Sequence, residues 1–343
     1  MLSAFRTELF LRRNELKDQT IETIYFGGGT PSLLAVEEIE WLIALIKSDY
    51  QVSEDPEITL EANPDDLTKE KIEELSNSSV NRLSIGIQSF FEDDLKSMNR
   101  AHSAKEAEEC LEIATKHFDN ITIDLIYGIP NMSLERWNQN LQMAFSFGIN
   151  HISSYALTVE PSTALETFIK RGTYPPIDEA LALLHFNHLV EETAKQGFVH
   201  YEISNFGKPK YFSKHNTSYW LGDRYLGIGP SAHSFNGVQR SWNISNNVKY
   251  IQSISEYKLP QEIENLSKND RFNEYVMTGL RTIWGVSMDK IDVDFDQNYK
   301  VRLLKTAQKY IDEGLLINDD QILKTTQKGK FLADGIASEL FMI

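Results

Sequence analysis

The chain has 343 residues, 41% of them hydrophobic and 11% aromatic, which describes an ordered globular protein with room for a large core. A net charge of −16 disfavours general affinity for nucleic acid or anionic membranes, since both draw on clustered basic residues. Cys110 is the single cysteine, so there is no disulfide framework; no apolar run reaches the length of a membrane span, and no signal peptide opens the sequence. These features read as a soluble cytoplasmic protein with one large domain and a smaller one.

Leu2, Phe5, Leu9 and Leu16 recur at helical spacing, so the chain is read as opening within an amphipathic helix. Ile21–Phe26 reads as a short buried strand, rich in β-branched and aromatic residues and stopped by Gly27-Gly28-Gly29. The glycines let a ligand approach the backbone and its N–H groups. Pro31 presets a helix over about Leu33–Lys47, whose start could seat a carboxylate or phosphate. A tight strand-to-helix turn with no ligand explains the same residues.

Further strands are expected at Ile58–Glu61, Arg82–Gln88, Ile121–Tyr127 and His151–Leu157, with helices at Lys69–Asn77, Ser103–His117 and Leu134–Phe147 between them. Ser103 and Glu106 form a capping box, and Gly148 stands where a C-cap belongs. Alternating strands and helices imply βαβ units and a parallel sheet. Glu61, Gln88 and Asp124 fall at or near the carboxyl side of successive strands, the edge at which such sheets bind ligands.

Beyond Asp178 a long helix is expected to Gln196, then a strand at Val199–Ile203, then an aromatic and polar stretch from Phe206 to Phe235. From Ser267 onward the pattern is mostly helical, with Leu315–Ile317 and Gln321–Lys324 as a small hairpin that gives a winged-helix-like shape. Acidic and basic residues nearly balance in this module, which argues for packing or a lid and against reading DNA.

Several motifs in this order carry a resemblance. They are Tyr25-Phe26-Gly27-Gly28-Gly29-Thr30-Pro31-Ser32, Leu60-Glu61-Ala62-Asn63-Pro64, Asn81 through Phe90, Asn99-Arg100-Ala101-His102 and Asp124 through Pro130. His215-Asn216-x-x-Tyr219-Trp220 and Leu332-Ala333-Asp334 extend them towards the end. With them the chain resembles the radical S-adenosylmethionine (SAM) family that contains oxygen-independent coproporphyrinogen III dehydrogenase and the HemW-type haem chaperones. The His-Asn-x-x-Tyr-Trp motif favours the chaperones, with the dehydrogenase as the alternative.

The resemblance implies an α/β fold: a partial (β/α)6 barrel, here lacking its first strand, followed by a small, mostly helical, winged-helix-like C-terminal domain. It implies domains at 1–235, 236–266 (a connector) and 267–343. It places Gly28, Gly29 and Thr30 at the amino-acid end of SAM, and Glu61, Gln88, Arg100, Asp124 and Thr158 around its remaining polar groups. It places Tyr219 and Trp220 flanking haem and His215 near the iron, with His233 as a second candidate. A 4Fe-4S cluster held by a Cys-x-x-x-Cys-x-x-Cys loop is expected of the family, but those cysteines are missing here and Cys110 alone cannot hold one. Reductive SAM cleavage is therefore not expected of these residues, and no catalytic residue is assigned. A haem-acceptor protein and a dimer are further expectations, as is a form extended upstream with better solubility and stability.

Overall fold

A computed structural model describes residues 1–343. The first half contains α1 (Leu2–Arg12), β1 (Ile21–Phe26), α2 (Val36–Asp49), β2 (Val52–Ala62), α3 (Lys69–Ser76), β3 (Arg82–Gln88), α4 (Glu92–Ser97), α5 (Ala104–His117) and β4 (Ile121–Tyr127). It continues with α6 (Leu134–Ser146), β5 (His151–Ala156), α7 (Ala164–Lys170), α8 (Glu179–Lys195), β6 (Val199–His200), β7 (Asn205–Gly207) and α9 (Lys214–Leu221). One seven-stranded sheet runs in the order β1-β2-β3-β4-β5-β7-β6, and β2 through β5 are parallel neighbours. No helix is long and apolar enough to cross a membrane.

The chain divides into two compact units. One comprises Met1–Ile24, Glu37–Glu57 and Ser213–Ile343; the other comprises Tyr25–Val36 and Ile58–Phe212. In the second, the parallel strands alternate strictly. Leu60, Leu83, Ile85, Ile123 and Ile152 are fully buried on one face, and Ile72, Leu75, Leu111, Ala114, Leu141 and Ala144 supply equally buried positions on α3, α5 and α6. Each such leucine or isoleucine side chain contributes about 1.5–3 kcal/mol. The register aligns Glu61 with Ser84, Ser84 with Thr122 and Thr122 with His151, so the opposite face is polar.

In the first unit, β8 (His233–Phe235), β9 (Gln239–Asn243), α10 (Asn247–Ser255) and β10 (Gln261–Asn265) follow α9. Then come α11 (Lys268–Leu280), β11 (Val286–Ser287), α12 (Met288–Asp294), α13 (Gln297–Asp312), β12 (Leu316–Asp319), β13 (Ile322–Thr325), α14 (Gln327–Lys330) and α15 (Ala333–Glu339). Phe272, Val276, Leu280, Leu303, Ala307, Leu323 and Ile336 share one core there.

Several expected boundaries move. The opening helix stops at Arg12, where the chain turns and Glu15 N–H bonds the Arg12 carbonyl at 2.9 Å; Leu16 is buried outside it. Pro31–Leu33 is a single 3-10 turn followed by extended Leu34, and the α-helix begins only at Val36. The glycines therefore do not lead into an α-helix N-terminus, which removes the expected anion seat on a helix start. β2 is longer than its apolar core suggests, because Glu54, Asp55 and Pro56 disguise its first half. The strand expected at Val199–Ile203 ends at His200; the chain turns through Glu202, whose carbonyl accepts the Asn205 N–H, and β7 returns antiparallel to β5. The C-terminal hairpin turns at Asp320-Gln321, both at positive φ (47° and 63°), as a type I′ connection requires.

Candidate functional site

The carboxyl edge of the parallel strands gathers the polar groups of the second unit. Tyr25 donates its hydroxyl to Glu61 Oε1 at 2.6 Å, and Gly28 N–H donates to Glu61 Oε2 at 3.1 Å. A Cβ on Gly27 would lie 2.8 Å from the Glu61 carboxylate, so only glycine allows this approach. Cβ positions on Gly28 and Gly29 meet nothing, so that backbone faces open space.

Gln88 ends β3 with φ at 64°, a left-handed conformation rare outside glycine, where the β3–β4 register also shifts. Its amide and the Arg100 guanidinium close over Gly86: a Cβ there would sit 2.9 Å from Gln88 Nε2 and 3.1 Å from Arg100 Nη2. Gly86→Ala is accordingly expected to push both flexible tips aside while costing little stability. The measurement is SAM binding by calorimetry beside thermal unfolding; unchanged binding would count against Gln88 and Arg100 as ligand contacts.

Asp124 lies in the middle of β4, paired with Ser153, instead of at the strand end. It is nonetheless one rung from Leu125, which pairs with Gln88. Burial, and after it the Glu61 charge, push the Asp124 carboxyl up to about 7; Arg82, Ser153 and Arg100 pull the other way. The Glu61 and Arg100 charges thus both reach Asp124. Thr30 sits at the start of the 3-10 turn with its carbonyl bonded to Leu33 N–H. Thr158 turns its hydroxyl to Glu160 at 3.5 Å and takes no part in this network.

Sequence reasoning passed over the polar face beneath. Buried Arg82 donates through Nη2 to the Thr122 hydroxyl, and Thr122 lies 2.9 Å from His151 Nδ1. His151 Nε2 is 2.7 Å from the Tyr201 hydroxyl, and Ser153 donates to Asn205 Oδ1 at 2.6 Å. Burial, then the Arg82 charge, hold His151 well below its ordinary range, so the ring is neutral. The signal was present as period-two alternation: Thr59/Glu61, Arg82/Ser84, Thr122/Asp124, His151/Ser153. A parallel sheet covered by apolar elements on both faces would show none.

The second group of candidates lies on α9 of the first unit. Ser213 caps the helix by accepting the Asn216 N–H at 3.1 Å, and Gly222 ends it in the left-handed conformation (φ 79°). Buried Glu57 accepts the N–H groups of Lys214 and His215, each at 2.9 Å. The half-buried His215 ring has Nδ1 2.9 Å from Thr23 Oγ1. Tyr219, 40% exposed, meets His215 edge-on with centroids 4.9 Å apart, and meets Tyr225 edge-on at 4.6 Å. Trp220 lies under the Arg281 guanidinium at 5.2 Å. His233 stacks on Trp242 at 5.9 Å.

This donor set suits a flat, iron-bearing macrocycle: an imidazole engaged at Nδ1, with aromatic rings and a guanidinium on the same short helix or against it. The thiol chemistry of the chain does not suit an iron–sulfur cluster. Cys110 is buried in α5 with its thiol pushed up to about 12 by burial, and no group of three or more His, Cys, Asp or Glu side chains is arranged to hold a metal ion.

Comparison with known proteins adds to this geometry. Residues 9–144 match the radical SAM superfamily and residues 266–332 match the HemN C-terminal domain. A heme chaperone HemW of Lactococcus lactis is 31% identical over 343 residues, spanning 99% of this chain and 90% of that protein. Another, of Bacillus subtilis, is 31% identical over 340 residues, 98% and 89% of the two chains. The coproporphyrinogen III oxidase HemN of Escherichia coli superposes with a TM-score of 0.84 over 99% of this chain and 82% of its own, at 22% identity. That likeness concerns the fold.

Proposed function

Because this chain belongs to the HemW family within the radical SAM superfamily, we propose that it binds haem through α9 and passes it to an acceptor protein. The observation that carries this reading is the setting of His215, an imidazole anchored at Nδ1 and flanked by Tyr219 on a helix whose first N–H groups are tied to Glu57. A neutral imidazole is a common axial ligand to haem iron, and aromatic rings pack on a porphyrin face. Trp220 adds a flat ring on the same helix, under an Arg281 guanidinium that also pairs with Asp334 at 2.9 Å.

The test is a haemin titration of the full chain followed by absorption. A Soret band is expected with the native protein and a loss of roughly tenfold or more in affinity with His215→Ala. No band with either protein would reject haem binding.

A second ligand suits the strand ends. Glu61, Gln88, Arg100 and Asp124 with the Gly28–Gly29 backbone offer polar partners for the amino-acid and ribose groups of SAM. The family implies SAM together with a 4Fe-4S cluster, but the single cysteine cannot supply its thiolates. Without those thiolates SAM is expected to bind these residues weakly. The dehydrogenase alternative has less behind it, since the relatives at 31% identity are heme chaperones HemW and the likeness to HemN concerns the fold. We read residues 1–235 as the barrel with its haem motif, 236–266 as a connector and 267–343 as a packing module, acting in the cytoplasm as a dimer with an acceptor protein.

A further inference from the structure

We propose that Thr23 and Glu57 are positioning residues for His215: Thr23 fixes which ring nitrogen meets iron, and Glu57 fixes the backbone that carries the ring. The proposal rests on the haem reading of His215.

An imidazole can ligate iron only through an unprotonated nitrogen, and in the neutral ring one nitrogen keeps its proton. The proton stays where an acceptor meets it. Thr23 Oγ1, 2.9 Å from Nδ1, has the lone pairs to accept from Nδ1–H; in the proposed arrangement it does so, which leaves Nε2 as the basic nitrogen. A hydrogen bond from Nδ1–H also raises the electron density of the ring and strengthens its donation to a metal. Threonine is suited to the task because its β-branched side chain is stiff about χ1, and a strand holds its backbone.

Glu57 acts on the other end of the same residue. Its carboxylate is 5% exposed and accepts the His215 N–H itself, along with that of Lys214; the Ser213 hydroxyl lies 3.4 Å away. A negative charge at a helix N-terminus opposes the positive end of the helix dipole and ties down two N–H groups that have no partner within the helix. Thr23 is on β1 and Glu57 on β2, neighbouring strands of the sheet. Side chain and main chain of His215 are thus gripped from two adjacent strands, 192 and 158 residues distant in sequence. The Thr23 contact plays no part in capping α9, whose Asn216 N–H is taken by Ser213.

The experiment compares haemin binding, the absorption spectrum and the reduction potential of bound haem in the full chain and four variants. Thr23→Val, which keeps the shape and removes the acceptor, is expected to weaken haemin binding about tenfold and raise the reduction potential, with unchanged thermal unfolding. Thr23→Ser, which restores an oxygen, is expected to recover most of both. Glu57→Gln keeps an acceptor oxygen but loses the charge and is expected to lower affinity while leaving the potential near native. If Thr23→Val and Glu57→Gln both match the native protein, or if Thr23→Ser is as impaired as Thr23→Val, the positioning roles are wrong. His215→Ala with native affinity and spectrum would instead reject the haem reading, so the two failures are distinguishable.

Discussion

Replacing Glu8 by alanine is expected to destabilise the unit that contains α1 by about 3–5 kcal/mol, the range found when one partner of a buried ion pair is removed. Glu8 is fully buried on α1. Its carboxylate accepts from Asn243 Nδ2 at 2.6 Å, from Gly229 N–H at 2.9 Å, from the Tyr250 hydroxyl and from Arg12 Nη1 at 3.3 Å. Arg12 is itself 2% exposed and further bonded to Glu15, the Gly227 carbonyl and Ser234. Truncation would strand a buried guanidinium and several donors at once.

The glycine-rich Gly227–His233 stretch, conspicuous in the sequence, is thereby pinned to α1 through both Gly227 and Gly229. Urea unfolding measures the effect, with Arg6→Ala on the exposed side of α1 as the control, expected within about 0.5 kcal/mol of native. Glu8→Gln, which keeps one oxygen, should fall between. A Glu8→Ala curve that overlays the control would show that the cluster contributes nothing to stability.

Asp124→Asn is expected to have the opposite sign and a strong pH dependence. The native carboxyl holds its proton to about pH 7, while in the unfolded chain it releases it near the ordinary 3.8. Folding therefore takes up a proton between these values, and stability declines as pH rises through that window; above pH 7 the penalty is constant. Asparagine has no proton to lose. The variant should be more stable than native at pH 8, by at most about 4 kcal/mol for a carboxyl moved from 3.8 to about 7, and the gain should vanish near pH 4. Denaturant midpoints at pH 4, 6 and 8 provide the check. A difference that stays level across pH would mean that Asp124 is ionised in the folded protein throughout. The native protein thus keeps an unfavourable acid on its polar face, a cost that makes sense where a ligand supplies hydrogen-bond partners.

Much of this architecture could be read from the chain because it is written in local periodicity. β1, β3 and β4 appear with the boundaries their patterns predicted, and the Ser103–Glu106 capping box starts α5 as expected. These elements depend on residues a few positions apart, whose alternation or helical spacing decides which side is buried. The order of the motifs also sufficed to place the chain in its family, and with it to single out His215.

Where several polar groups meet was decided only by tertiary structure. Thr23 and Glu57 carry no local mark of their role, because each finds its partner on α9 across 192 and 158 residues. Arg82, Thr122, His151 and Tyr201 form one line only once three strands and a returning turn are set side by side. The 3-10 turn at Pro31 likewise depends on surroundings: the Ser32 hydroxyl donates to Asp66 at 2.7 Å and Lys71 donates to the Leu34 carbonyl. The sequence by itself determined the elements and their family, through short-range periodicity and motif order. The folded chain alone decided which charges are neutralised and which ring nitrogen is held, since desolvation and hydrogen bonding act between groups that only folding brings within about 3 Å.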